Sequence, residues 1–269
     1  MASTDPEAAG KVTVGTLPFE TDAGIAGRAR IGLIVLASDH TIEHEFRAII
    51  DLPGVALYAA RIPNSQIITP QTLAAMESHI ADRSSVILPG VELDVIAYGC
   101  TSASMVLGEE TGFARIREGR PEARPTTPVT AAFAAFDALG ARRIAVITPY
   151  SRAVNDRVRA YFTAGGYDVP VFMSFDVDDD NVVARISPDS IRRAILEAGR
   201  RDDVDMVFVS CTSLRLAEAA SAAEAELGKP VTSSNNALAW HCLRLAGIAD
   251  PLPQFGRLHE LPLSAAGPA

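Results

Sequence analysis

Two short stretches carry the residues best suited to chemistry. One is Ala97-Tyr98-Gly99-Cys100-Thr101-Ser102, the other Phe208-Val209-Ser210-Cys211-Thr212-Ser213. Each sets a thiol between an apolar run and two hydroxyl residues. A thiolate serves as nucleophile and as base. The hydroxyls, and the free N–H groups of a helix starting there, favour an anion close by. The same donors can hold a substrate carboxylate. At least one of the two thiols is therefore expected to titrate below the ordinary cysteine value of about 8.5. Two thiols on opposite faces of one carbon can remove a proton from one side and return it to the other. That is racemisation without a cofactor. Alternatively, one thiol adds to a double bond while the other protonates the neighbouring carbon, which is cis–trans isomerisation through a covalent adduct. A lone buried cysteine is more often a small core hydrophobe. Cys242, inside a helical pattern and without such neighbours, is read that way.

The elements that must position these thiols are legible in outline. Leu93-Asp94-Val95-Ile96 and Met206-Val207 read as buried parallel strands. Each cysteine then falls at the carboxyl end of a strand, where open α/β sheets bind ligands. The two lie 111 residues apart, and Asp39 and Tyr150, at the ends of two further apolar strands, share that offset. Ile68-Thr-Pro-Gln-Thr-Leu73 resembles Ile186-Ser-Pro-Asp-Ser-Ile191, and Arg124-Pro-Thr-Thr-Pro-Val resembles Lys229-Pro-Val-Thr-Ser-Ser234. Matched places in one order indicate an internal repeat.

The expected fold is α/β: two similar lobes, each a parallel sheet flanked by helices, related by a pseudo-two-fold axis, with the active site between them. Residues 28–125 make the first lobe and 126–235 the second, with 236–269 packing back on the first and 1–27 as a lead-in. One continuous doubly wound sheet is the alternative. Helices are expected over Thr41–Ile50, from Thr69 to about Ala81, near Ser104–Gly108, over Ala153–Ala164, from Ser187-Pro188, and over Asn235–Ala246. A turn-rich region is expected up to Pro125.

Composition narrows the partners. A net charge of -9 argues against a phosphate backbone. No apolar run approaches the roughly 20 residues of a membrane span. Met1 to Gly27 lacks the basic start and apolar core of a signal peptide. Three cysteines without a dense framework point to free thiols in a reducing cytosol, so a cytoplasmic location is expected. A Cys100–Cys211 disulfide is the alternative left open. His40 and His44 fall on one helix face, but Glu43 is not beside His40 and no third ligand is evident, so no metal is expected. The acidic run Asp176 to Asp180 lacks the glycine and distal glutamate of a calcium loop and reads as solvated. Without a Gly-x-Gly-x-x-Gly or P-loop pattern, no nucleotide cofactor is indicated. Arg61, Arg215 and His40 are candidates for assisting a carboxylate or a proton transfer.

The two cysteine motifs, together with Thr148-Pro149-Tyr150 and Asn155, and with Gly228-Lys229-Pro230-Val231 through Ser234-Asn235 to Trp240, resemble the aspartate/glutamate racemase superfamily. The branch is that of maleate cis–trans isomerase and arylmalonate decarboxylase, and the resemblance spans about Arg28 to Ile248. It implies two lobes, no metal, no cofactor and small carboxylate substrates, and a homo-oligomer is expected. It makes Cys100 the nucleophile or one base, and Cys211 the opposing acid or base. Tyr150 would hydrogen-bond a carboxylate and Asn181 would line the same pocket, beside Thr101, Ser102, Thr212 and Ser213.

The decarboxylases resembled keep only the second cysteine. The presence of both here favours a cofactor-independent isomerase or racemase. Decarboxylation of a disubstituted malonate with Cys211 as proton donor, and a non-catalytic small-acid binding protein, are the alternatives. The maleate isomerases resembled carry asparagine where this chain has Asp39. An aspartate there repels a second carboxylate and suits a substrate amine, unless it only caps a helix. Ser38-Asp39-His40-Thr41-Ile42-Glu43 looks more like the ectoine-utilisation members of the branch.

Overall fold

The computed structural model describes residues 15–264. The part of the lead-in before residue 15, and the chain after 264, lie outside the described residues. Residues 15–25 are exposed, and a single 3-10 turn at Gly24–Ala26 leads into the first strand.

The first sheet is built from β1 (Ala29–Leu36), β2 (Val55–Ile62), β3 (Val95–Gly99) and β4 (Arg124–Thr126), all parallel, in the order β2-β1-β3-β4. The second repeats it with β5 (Arg143–Thr148), β6 (Asp168–Ser174), β7 (Met206–Val209) and β8 (Val231–Ser233), in the order β6-β5-β7-β8. Two separate four-stranded sheets replace the alternative of one continuous sheet. The central strands β1, β3, β5 and β7 are apolar along almost their whole length because both faces are covered. Asp94 and Asp205 perform the same task in each sheet. Asp94 accepts the Arg30 amide at 2.7 Å, and Asp205 accepts the Arg143 amide at 2.8 Å.

Helices α1 (Ile42–Ile49), α2 (Pro70–Ala74), α3 (Glu77–Ser85), α4 (Thr101–Leu107) and α5 (Glu109–Gly119) belong to the first half of the chain. The single helix expected from Thr69 breaks at Ala75-Met76 into α2 and α3. Thr69 and Thr72 form a reciprocal capping box that opens α2. The region expected to be turn-rich before Pro125 is instead α5, entered through Gly108 at φ 80. In the second half come α7 (Arg152–Ala164), the single turn α8 (Asp180–Val183), α9 (Pro188–Gly199) and α10 (Ala220–Leu227).

Between the sheets lie α6 (Pro128–Ala138) and α11 (Ser234–Leu245), each following the last strand of a sheet. They are capped alike: the Thr127 hydroxyl accepts the Thr130 amide and the Ser233 hydroxyl accepts the Asn236 amide. Helix α6 is rich in alanine and feeds both cores. Ala131 and Ala135 join the core of the first sheet, Ala132 and Phe136 that of the second. Helix α11 is buried along most of its length, and its Leu238, Trp240 and Leu243 join the core of the first sheet. The following segment, with Leu252, Phe255 and Leu258, packs into that same core. Trp240 and Arg244 donate to the Leu261 carbonyl and anchor it.

Gly99 ends β3 immediately before Cys100. A Cβ there would lie 2.8 Å from the Ile42 side chain and 3.0 Å from the Ile34 carbonyl. Gly99→Ala is therefore expected to cost about 1–3 kcal/mol through overpacking. A thermal scan should show a melting temperature lower by several degrees. An unchanged value would mean that β3 and α1 have slack at this contact.

Candidate active site

Cys100 leaves β3 in an extended conformation and is the N-cap of α4. Cys211 leaves β7 at the matching place but enters a turn through Thr212 and Ser213, with the Leu214 amide donating back to its carbonyl. The second thiol thus lacks the helix start that the first one has. Both thiols line one narrow cavity, with Thr101, Ser102, Tyr150, Thr212 and Ser213. Leu36, Ile68, Leu73 and Met76 form its apolar wall. The cavity is roofed where loops from the two halves meet in a single antiparallel bridge, Ile67 to Asp179. There the Ile68 amide donates to Asp178 and the Asp180 amide to Gln66, each at 3.2 Å. All three cysteines are free, so the Cys100–Cys211 disulfide is not formed. Cys242 is a buried residue of α11 in the first core.

The electrostatics reverse one expectation. Burial pushes the Cys100 thiol up to about 12, although the Ala103 amide and the Ser102 hydroxyl pull the other way. Ser102 Oγ is 3.8 Å from the sulfur. Burial raises Cys211 further, and the neighbouring Asp180 carboxylate adds to it, against the Tyr150 hydroxyl and the Ser213 amide. Tyr150 is itself raised by burial and by the two sulfurs it stands beside. The expected lowering fails because both thiols are buried, with carboxyl groups beside them and, among the described residues, no Lys, Arg or His lining the cavity.

Asp180 is the site residue that the sequence reading missed. The run Asp176 to Asp180 was expected to be solvated, and Asp176 and Asp178 are exposed. Asp180, at the start of α8, is only 4% exposed and lines the cavity. Its Oδ1 accepts the Ser213 hydroxyl at 2.7 Å and its Oδ2 the Ser38 hydroxyl at 2.5 Å. No spacing in the sequence marks it, because the closure of two distant loops is what turns it inward. Its neighbour Asn181 is half-buried, meets His40 Nε2 at 2.9 Å, and does not line the cavity.

Asp39 lies behind the lining. Its Oδ1 accepts the Thr41 amide at 2.6 Å and the Ile42 amide at 2.8 Å, which caps the first turn of α1. Its Oδ2 is buried without a partner. Burial raises the carboxyl to about 6 against those two amides, with a further rise from the charge of Asp180. Arg61 is occupied by the Leu36, Ala37 and Asp39 carbonyls and by Glu43, so it braces the β1–α1 turn. Arg215 donates to the Ile186 carbonyl on the exposed side. His44 is exposed, 4.0 Å from Glu218.

The family model for arylmalonate decarboxylase matches residues 56–259. The chain belongs to that family. Its relatives are enzymes. The maleate isomerase of Nocardia farcinica is 30% identical over 246 residues, covering 86% of this chain and 96% of its own. The arylmalonate decarboxylase of Bordetella bronchiseptica is 32% identical over 137 residues, covering 50% of this chain and 57% of its own. Among solved structures, the maleate isomerase of Pseudomonas putida S16 with maleate superposes with TM-score 0.80 at 26% identity, over 86% of this chain and 97% of that one. A cysteine-to-serine variant of the N. farcinica enzyme, carrying a covalently bound succinylcysteine intermediate, gives TM-score 0.77 at 28% identity, over 86% and 98% of the two chains. Cysteine chemistry without a cofactor fits the family. Among the described residues, no helix is long and apolar enough to cross a membrane.

Glu45, on α1, ties the halves together beside the site. Its Oε1 accepts the Leu216 and Ala217 amides and its Oε2 the Asn235 side chain, each at 2.7 Å. Burial raises its carboxyl from 4.5 to about 7, against those three donors. A raised carboxyl contributes stability that is full below about 4.5 and lost as pH climbs through about 7. Glu45→Gln removes that loss. Its stability relative to wild type should therefore rise by about 3 kcal/mol between pH 4.5 and pH 8. Denaturant titrations of both proteins at the two pH values check this; a difference independent of pH would place the ionisation elsewhere.

Proposed function

We propose that this chain is a cofactor-independent isomerase or racemase of a small carboxylic acid, with Cys100 and Cys211 acting from opposite sides of the substrate. The observation that carries this reading is that both thiols, from matching strand ends, line the same cavity. The hydroxyls of Ser102, Thr212 and Tyr150 are the donors available to a carboxylate there.

Two reaction courses use this arrangement. In the first, the Cys100 thiolate bonds to one carbon of a cis double bond, and Cys211 gives its proton to the other. The carbon–carbon bond is then single and rotates. The Cys211 thiolate recovers the proton, the carbon–sulfur bond breaks, and the trans isomer leaves with the Cys100 thiolate restored. In the second, one thiolate takes the alpha proton and the opposing thiol delivers its own to the other face, exchanging the protonation states of the pair. The covalent intermediate in the N. farcinica enzyme supports the first course. Decarboxylation needs only one proton donor and would leave Cys100 without a task.

Cys100→Ser and Cys211→Ser should each lower turnover by at least about a thousandfold while keeping the fold, because serine is a far poorer nucleophile and base. Turnover in deuterium oxide separates the courses. Alpha-deuterated product from both enantiomers indicates racemisation, and a protein adduct by intact mass indicates the alkene route. Carbon dioxide release, or near-full activity in either variant, would overturn the two-thiol reading.

A further inference from the structure

The cavity is acidic, and among the described residues no Lys, Arg or His lines it. Asp180 lines it, and Asp39 stands close enough that each carboxyl's charge acts on Cys211 and Cys100, and that of Asp180 on Asp39. The two come from different halves of the chain, Asp39 from the end of β1 and Asp180 from the start of α8. Both are buried, at 2% and 4% exposure. Neither is in an ion pair; the salt bridges among the described residues involve other groups. Asp180 is held by two serine hydroxyls, which leaves each of its oxygens a further lone pair. The Oδ2 atom of Asp39 is buried without a hydrogen-bond partner, with the Thr212 hydroxyl close enough to lower the carboxyl. Buried carboxyls are ordinarily paired, and these two have polar hydrogens as partners but no positive charge.

We infer that Asp180, backed by Asp39, selects a substrate bearing a positively charged or N–H-donating nitrogen beside its carboxylate, and rejects dicarboxylates. This rests on the proposed function for the cavity itself and adds the class of acid that it accepts. A dicarboxylate would bring two more negative charges into a closed space already holding Asp180 and Asp39. A monocarboxylate with an ammonium or amide N–H brings the missing donor. Its carboxylate can turn to the hydroxyls of Ser102, Thr212 and Tyr150, and its nitrogen to Asp180. Its positive charge also favours the thiolate form of a neighbouring cysteine. Ser38 and Ser213 act as positioning residues, since each fixes one oxygen of Asp180.

The test measures binding, so it is independent of which chemistry follows. Calorimetric titrations of the full chain would use D- and L-alanine and D- and L-2,3-diaminopropionate on one side, and maleate and succinate on the other. They would be run on wild type, on Asp180→Asn and on Cys100→Ser. The expected result is that wild type and Cys100→Ser both bind at least one nitrogen-bearing probe at least tenfold more tightly than either dicarboxylate. Asp180→Asn, nearly isosteric, should reverse the order by a similar factor while unfolding at a similar temperature. Should Asp180→Asn fail to fold, Ser38→Ala, which frees one Asp180 oxygen, should still change the preference at least threefold. Wild type that binds succinate or maleate as tightly as the amino acids, or none of the amino acids at millimolar concentration, overturns the inference. So does a preference unmoved by Asp180→Asn. A preserved preference in a protein whose turnover survives loss of either thiol would overturn the two-thiol reading and leave this one standing.

Discussion

The packing of α6 against α11 between the two sheets is the constraint on which the rest of the molecule depends. Each helix follows the fourth strand of its sheet, and α6 contributes to both cores. Small side chains at Ala131, Ala132 and Ala135 allow close approach on both sides, and Phe136 locks into an aromatic cluster with Phe162 and Phe208. The start of α11 is tied to the start of α4 by the Thr101 hydroxyl, which donates to Ser234 at 2.8 Å. That bond sits one residue from Cys100. Next to it, the Asn235 side chain donates to the Thr212 carbonyl at 2.8 Å, so the start of α11 holds a residue beside each thiol.

The same closure creates the electrostatic character of the site. Where the carboxyl ends of β3 and β7 meet at the cavity, Cys100 to Ser104 and Cys211 to Leu214 are buried. Asp180 is held by two serine hydroxyls and Asp39 by two backbone amides. Charge is another matter, because burial desolvates Asp39, Glu45, Cys100, Tyr150 and Cys211, and all five are acids. Each of them shifts in one direction, toward the protonated form. Glu45 extends the pattern outward, using three donors to hold a carboxyl that has no cation beside it.

Much of this frame was legible in the sequence. The strands were, because parallel strands covered on both faces are nearly continuous apolar runs, as in Ile31 to Leu36 and Ile144 to Ile147. The repeat was, because Cys100 and Cys211 keep the same neighbours at one offset. What escaped depended on contacts between distant segments. The α2–α3 break falls at Ala75-Met76, where neither glycine nor proline marks it. The half-buried helix α5 has mixed residues and a glycine entry, so it looks like turns. Asp180 is acidic in an acidic run, and only the bridge to the Gln66 loop turns it inward. The direction of the thiol shift was misjudged because hydroxyls and amides are visible in sequence whereas the depth of burial is not.

That depth poses a problem that the substrate must solve. A thiol near 12 ionises at pH 7 at a cost of about 7 kcal/mol, and both thiols here stand at or above that level. Hydroxyls and amides already act on them in the empty cavity, so these donors cannot lower the cost further. A positive charge about 4 Å from a sulfur contributes about 4 kcal/mol at an effective dielectric near 20. That offsets more than half of the cost, and a negative charge at the same distance adds as much. The charge of the ligand thus decides whether entry favours or opposes the thiolate. Under the proposed function, a nitrogen-bearing substrate would itself favour the thiolate that its reaction needs.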